Sequence, residues 1–218
     1  KENMVKLPVV VYNRTSRQSV IQDAIHFRGS IERQAIAENE AGGEYIRPIV
    51  LFQAQPKLNE DSETFDKIKA MLVDMGIPKE QIAVKTSKLG KTDLMSRDCP
   101  IRYIITVNAL KEGWDCPFAY ILASLANKTS KVDVEQILGR VLRQPYAKRH
   151  KSPLLNMSYV FTCSNDFRNT LDSIVSGLNM AGFSRKDFRV GEVPDPAPAP
   201  KPDEAEQMEL GGNAPAAE

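Results

Sequence analysis

Six short apolar runs, each rich in β-branched or aromatic residues and separated by stretches of helical periodicity, constrain this chain more than any other feature. The runs occupy residues 7–12, 46–54, 82–86, 101–107, 118–125 and 157–163. The first carries a proline near its start, a position strands tolerate. Between the runs, residues 16–39 form a one-sided stripe of Ile21, Ala24, Ile25, Ile31, Ala35 and Ile36, with Gly29 as a point of interruption and Gly42-Gly43 as its stop. Ser62 is placed to cap a helix that turns Phe65, Ile68, Leu72 and Met75 inward and stops at Gly76 and Pro78. A last helix follows Ser164, with Phe167, Leu171, Ile174, Val175 and Leu178 as its core stripe and Gly182 as its end. Strands alternating with helices at this spacing imply the α/β class: a parallel sheet flanked by helices on both faces.

A further helix is predicted over residues 130–143, with Ser130 and Asp133 as a capping-box-like start. At 100° per residue, Gln136, Arg140 and Arg143 fall in one sector and Val134, Ile137, Leu138, Val141 and Leu142 in the opposite one. Gly139 borders the polar face, where a missing side chain lets a ligand approach the backbone. Guanidinium groups held this way suit phosphate, being always charged and able to bind two oxygens at once. The ordinary alternative is a solvated face of surface ion pairs. Upstream, the run at 101–107 leads through Asn108 into Ala109-Leu110-Lys111-Glu112-Gly113-Trp114-Asp115-Cys116-Pro117. That turn is expected at the carboxyl end of a parallel strand, where open α/β sheets place their ligands.

The residues from Ile105-Thr106 through Lys111-Glu112-Gly113-Trp114-Asp115-Cys116-Pro117 resemble motif V of superfamily 2 helicases, and Gln136-x-x-Gly139-Arg140-x-x-Arg143 resembles their motif VI. The wording of both motifs is most similar to the Res subunits of type III restriction enzymes, over roughly residues 46–182. The resemblance implies a RecA-like fold and the second of two motor domains. It implies that Arg140 and Arg143 are arginine fingers, and that Gly113, Asp115, Gln136, Arg140 and Arg143 face ATP, with Asp115 on the ribose hydroxyls. Gln53, at the end of the strand resembling motif IV, together with Thr86, Ser87, Thr106 and Asn108, would face the nucleic acid backbone. Trp114 suits packing and Glu112 an ion pair.

Two elements of a complete motor are missing from the sequence. Gly90-Lys91-Thr92 mimics the end of a phosphate-binding loop, but Lys85 stands where that loop needs its first glycine. No apolar strand run leads into an Asp-Glu-x-x magnesium motif either, and Pro194-Asp195 has no partner for a nuclease site. ATP and Mg are therefore expected to be held mainly by a first RecA-like domain outside this chain, no metal ligands are assigned within it, and the chain alone is expected to be inactive. The expected partners are DNA (RNA is an open alternative), that first domain and a modification methyltransferase. Two other readings stand beside a restriction enzyme: a superfamily 2 RNA or DNA remodelling motor without a restriction role, and a stand-alone domain that binds nucleic acid or protein without ATP.

Charge is consistent with an anionic partner. Of the net +1, the segment from Glu192 carries seven acids and one base, or −6, so residues 1–191 carry +7. Lys148, Arg149, His150 and Lys151 form a basic run that reads either as a solvated loop or as a phosphate contact. Cys99, Cys116 and Cys163 are too widely spaced for a zinc motif, which points to free thiols in a reducing cytoplasm. No apolar segment is long enough to span a membrane and no signal-peptide pattern opens the chain, which begins on Lys1 as a fragment would. The expected division is an N-terminal strand and helix extension (1–45), the RecA-like domain (46–182) and a flexible, proline-rich acidic linker (183–218).

Overall fold

Strands buried on both faces read as unbroken apolar runs, and those runs form the sheet. The computed structural model describes residues 5–54, 65–84, 93–106, 116–125, 142–163 and 187–191, with 171, 172, 174–176, 179 and 182 between the last two segments. The strands are β1 (Val9–Asn13), β2 (Ile49–Gln53), β3 (Ile82–Val84), β4 (Tyr103–Thr106), β5 (Ala119–Ser124), β6 (Ser158–Thr162) and β7 (Phe188–Val190). They lie in the order β3-β4-β2-β5-β6-β1-β7, and every neighbouring pair is parallel. This is the α/β class and the all-parallel sheet expected of a RecA-like domain.

Helix α1 (Arg17–Glu40) joins β1 to β2, and α2 (Phe65–Asp74) joins β2 to β3. Ser16 caps α1 by accepting the Ser19 amide at 3.1 Å. Gly29 does not interrupt it. A glycine inside a helix costs about 1 kcal/mol against alanine, and burial of Val20, Ile21, Ala24, Ile31 and Ala35 on one side outweighs that. The helix stops where Gly42 takes a φ of +93°, a conformation that favours glycine.

The register puts Val10, Tyr12, Tyr159, Phe161, Ile121, Ala123, Val50, Phe52 and Tyr103 on one face of the sheet. Helix α1 covers that face, with Phe27 ring-to-ring against Tyr159 at 4.6 Å and against Tyr12 and Phe161 at 5.9 Å. The β1-to-β2 and β2-to-β3 connections run toward one edge of the sheet, and the β6-to-β7 connection runs toward the other. Right-handed crossovers therefore put the helical residues around Ile174, itself 2% exposed, on the opposite face.

The expected boundaries change in two places. Residues 1–45, expected as a strand and helix extension of the domain, supply an interior strand, because β1 lies inside the sheet with β6 on one side and β7 on the other. Its Val9 and Val11 are fully buried, which requires neighbours on both edges and both faces. The span expected as linker likewise contributes β7, whose backbone completes the outer edge of β1, and Gly191 N–H continues that pairing to Val11 O at 2.9 Å. Ser62 and the remainder of the tail lie outside the described residues.

Candidate functional site

Most strand runs end on a polar residue, and parallel pairing in register brings these ends into one row. Thr106 pairs with Gln53, Gln53 with Ser124, and Thr162 with Asn13. The pairing of Ala123 with Phe161 carries the row from Ser124 to Thr162. Alternation puts all five side chains on the same face, at the carboxyl ends of β4, β2, β5, β6 and β1. Ser124 Oγ donates to Gln53 Oε1 at 3.3 Å, and Thr162 Oγ1 donates to Asn13 Oδ1 at 2.9 Å. Thr106 Oγ1 is buried and has no hydrogen-bond partner among the described residues. Beyond the row, Arg14 is held by Asp23 at 2.5 Å and by the Asn13 carbonyl at 3.0 Å.

Gln53 and Thr106, expected at the nucleic acid, therefore share one edge, and both are buried rather than projecting from a loop. Asn13, Ser124 and Thr162 were missed by the sequence reasoning. The signal was present, since VVVYN, AYILAS and SYVFT each close an apolar run with a polar residue, as IVLFQ and YIIT do.

The other end of the sheet brings together the flanks of the two motif-bearing stretches. Lys6, fully buried, donates from its ammonium to Pro117 O at 2.7 Å and Ala119 O at 2.8 Å. Its backbone N–H donates to Leu142 O at 2.5 Å, and the preceding Val5 forms an antiparallel bridge with Arg143. Leu142 is buried and Arg143 is exposed. The exit from the turn, Cys116 to Phe118, thus lies at the amino end of β5, beside the exit of the 130–143 stretch.

This corrects the helix expected through Arg143. Leu142 to Gln144 are extended, and Arg143 occupies a bridge. Two causes act together. Pro145 disfavours helical backbone at Gln144, whose ψ is 127°, and antiparallel pairing with Val5 and Lys6 holds Arg143 extended. Arg143 therefore projects from a strap and not from a helix face.

The strap continues into a loop secured by buried polar groups. Gln144 Nε2 donates to Asn156 Oδ1 at 2.8 Å and to Leu155 O at 3.3 Å, while Gln144 Oε1 is buried with no partner among the described residues. Asn156 also accepts His150 N–H at 2.8 Å and donates to His150 O at 2.7 Å. Glu38, near the end of α1, accepts the Lys151 and Ser152 amides at 2.8 and 3.0 Å. Tyr146, at a φ of +59°, is held by its hydroxyl on Tyr45 O at 2.6 Å.

The basic run is therefore not uniform. Lys148 pairs with Glu44 at 2.6 Å, His150 is buried, and Arg149 and Lys151 face solvent. Burial lowers the His150 pKa from 6.5, only partly opposed by its hydrogen bond to Pro145 O and by the Glu38 charge.

Arg140, Gln136, Gly113, Asp115, Thr86, Ser87 and Asn108 lie outside the described residues. Among the described residues, no group of three or more His, Cys, Asp or Glu is gathered as a metal site, and no helix is long and apolar enough to cross a membrane. Cys99, Cys116 and Cys163 form no disulfide among the described residues.

No protein-family model matches the chain, and no curated protein matches it. Among solved structures, it is similar to the C-terminal domain of S. cerevisiae Dbp5 L327V bound to Gle1 H337R and IP6, at 12% identity and a TM-score of 0.47, over 94% of this chain and 96% of that one. It is also similar to the ATP-dependent Type ISP restriction-modification enzyme LlaBIII bound to DNA, at 14% identity and a TM-score of 0.47. That match covers 89% of this chain and 16% of the restriction enzyme, so the chain spans a small part of its length.

Proposed function

We propose that this chain is the second RecA-like domain of a superfamily 2-type ATP-dependent DNA helicase or translocase, of the kind found in the Res subunit of a type III restriction endonuclease. One observation carries the reading: the exits of both motif-bearing stretches meet at Val5 and Lys6, with Arg143 exposed beside them. Motif V-like and motif VI-like residues act on one nucleotide only if the fold brings them to one place. An exposed guanidinium on an anchored strap is suited to that task, because it carries charge without needing the core.

In this reading Arg143, with Arg140, contacts the γ-phosphate of ATP, which is held with Mg by a first domain. The nucleotide supplies the free energy of hydrolysis. Arg143 offsets the charge that develops on the phosphoryl oxygens, and the carboxyl-edge row with Gln53 and Thr106 lies at the nucleic acid side. Closing and opening of the cleft between the domains would then advance the strand. DNA is the proposed track, a methyltransferase subunit the proposed partner and the cytoplasm the proposed compartment.

The test uses the whole protein. Arg143→Ala should shift stability by under ~0.5 kcal/mol, as exposed substitutions usually do, yet lower ATP turnover by a hundredfold or more, the order expected for a lost finger. Lysine should restore part of the rate, since it keeps the charge and loses the planar fork. Normal melting with wild-type turnover in Arg143→Ala would sink the proposal.

A further inference from the structure

We propose that Lys6 is a positioning residue that locks the exit of the turn, Pro117 to Ala119, against the strap carrying Arg143. The inference rests on the motor reading given above. A fully buried ammonium is among the costliest groups to take from water, so one that persists must be held by well-placed acceptors. Lys6 has the carbonyls of Pro117 and Ala119, and its ammonium also lies 4.3 Å from the centre of the Tyr120 ring.

Lys6 also carries the backbone link on the other side. Its N–H holds Leu142 O, and its own carbonyl accepts Ser158 Oγ at 3.0 Å at the start of β6. Between its two carbonyl partners, Phe118 O receives the Ile49 amide of β2 at 2.8 Å. The entry of β5 is thus tied laterally to the sheet and, through Lys6, to the strap. An apolar side chain would fill the same space, but it would not determine where the two carbonyls point. The ammonium does so directionally, and the same residue sets the backbone from which Arg143 projects. Holding two reacting segments in one geometry is what a preorganised site requires.

Lys6→Met, which keeps the unbranched stem and removes the donors, separates these roles, and Lys6→Arg is the conservative variant. Hydrogen exchange of this chain should show amides at 118–120 and 142–144 opening faster together in Lys6→Met, with those of β2 and β4 unchanged. In the whole protein, the same variant should lower kcat for ATP by roughly tenfold or more while KM changes much less, since a misplaced but intact group costs rate before affinity. Lys6→Arg should recover part of the loss. Faster exchange confined to residues around position 6, or wild-type kcat in Lys6→Met while Arg143→Ala abolishes turnover, would overturn the proposal and leave the motor reading intact. Wild-type kcat in Arg143→Ala would instead overturn the motor reading, and the positioning role with it. Should Lys6→Met fail to fold, the same two measurements on Lys6→Leu, which also removes the donors, decide the matter: wild-type exchange together with wild-type kcat would overturn the proposal.

Discussion

The two ends of the sheet both bury polar groups, and they do so in opposite ways. At the amino end, buried cations reach across long stretches of sequence to main-chain carbonyls. Arg47 donates to Ile101 O at 2.7 Å, Ser96 O at 2.8 Å and Leu94 O, with Tyr45 OH at 3.1 Å. Lys6 does the same for the entry of β5. At the carboxyl end, short neutral side chains meet one another sideways in pairs, and Thr106 Oγ1 is left over among the described residues. The first arrangement knits loops to the sheet and allows little movement. The second asks nothing of the loops and leaves acceptor and donor capacity along the edge where parallel sheets take ligands. The motor role proposed above would use both: a rigid frame for Arg143, and an edge that can exchange partners.

The strongest way to break this contrast is at Arg47. Arg47→Met should destabilise the chain by about 3 kcal/mol or more, because removing the fork leaves several buried carbonyls without a donor. Denaturant unfolding measures it. A loss under ~1 kcal/mol would mean that water replaces the guanidinium and that the amino end is less tightly knit than its geometry implies.

Thr106→Val probes the other end. Val keeps the branched shape and removes a buried hydroxyl without a partner among the described residues, so the chain should gain about 1 kcal/mol in the same assay. If the hydroxyl is held in reserve for a ligand, DNA affinity should fall in the same variant. A loss of stability would show that the hydroxyl is already engaged, and the contrast would weaken.

The smallest effect is expected at His150. Its folded pKa lies below 6.5, chiefly because burial disfavours the imidazolium. Above pH 6.5 both folded and unfolded states hold it neutral. As pH falls below 6.5 the unfolded chain takes up the proton first, so stability declines until the folded pKa is passed. His150→Asn should flatten that part of the stability-pH profile, and an unchanged slope would remove His150 from the account of the loop.

Six of the seven strands and the two long described helices were legible in the sequence, within the usual end effects; β7, in the span expected as linker, was not. Runs such as IVLF and YII are apolar on both faces, and Ser16 and Gly42 mark the ends of α1 chemically. Of the candidate site, Gln53 and Thr106 were legible as polar ends of strands. Arg143 was singled out by motif as part of a helix, because helical periodicity carries on past Leu142, whereas Pro145 and the bridge to Val5 hold it in an extended strap. Lys6 looked like an ordinary lysine before a proline-containing strand, and nothing local distinguishes a buried lysine from a solvated one.

What the sequence determined by itself is therefore what short-range chemistry determines: periodicity, caps, turns and the identity of every strand but β7. Tertiary structure alone decided that β1 lies between β6 and β7, that five polar ends form one row, and that Lys6 meets Pro117 and Leu142. The physical reason is that strands join through backbone hydrogen bonds, which are alike in every run, and doubly buried strands share the same apolar pattern. Which edge meets which is settled by the crossovers and by side chains more than a hundred residues apart, such as Lys6 and Pro117.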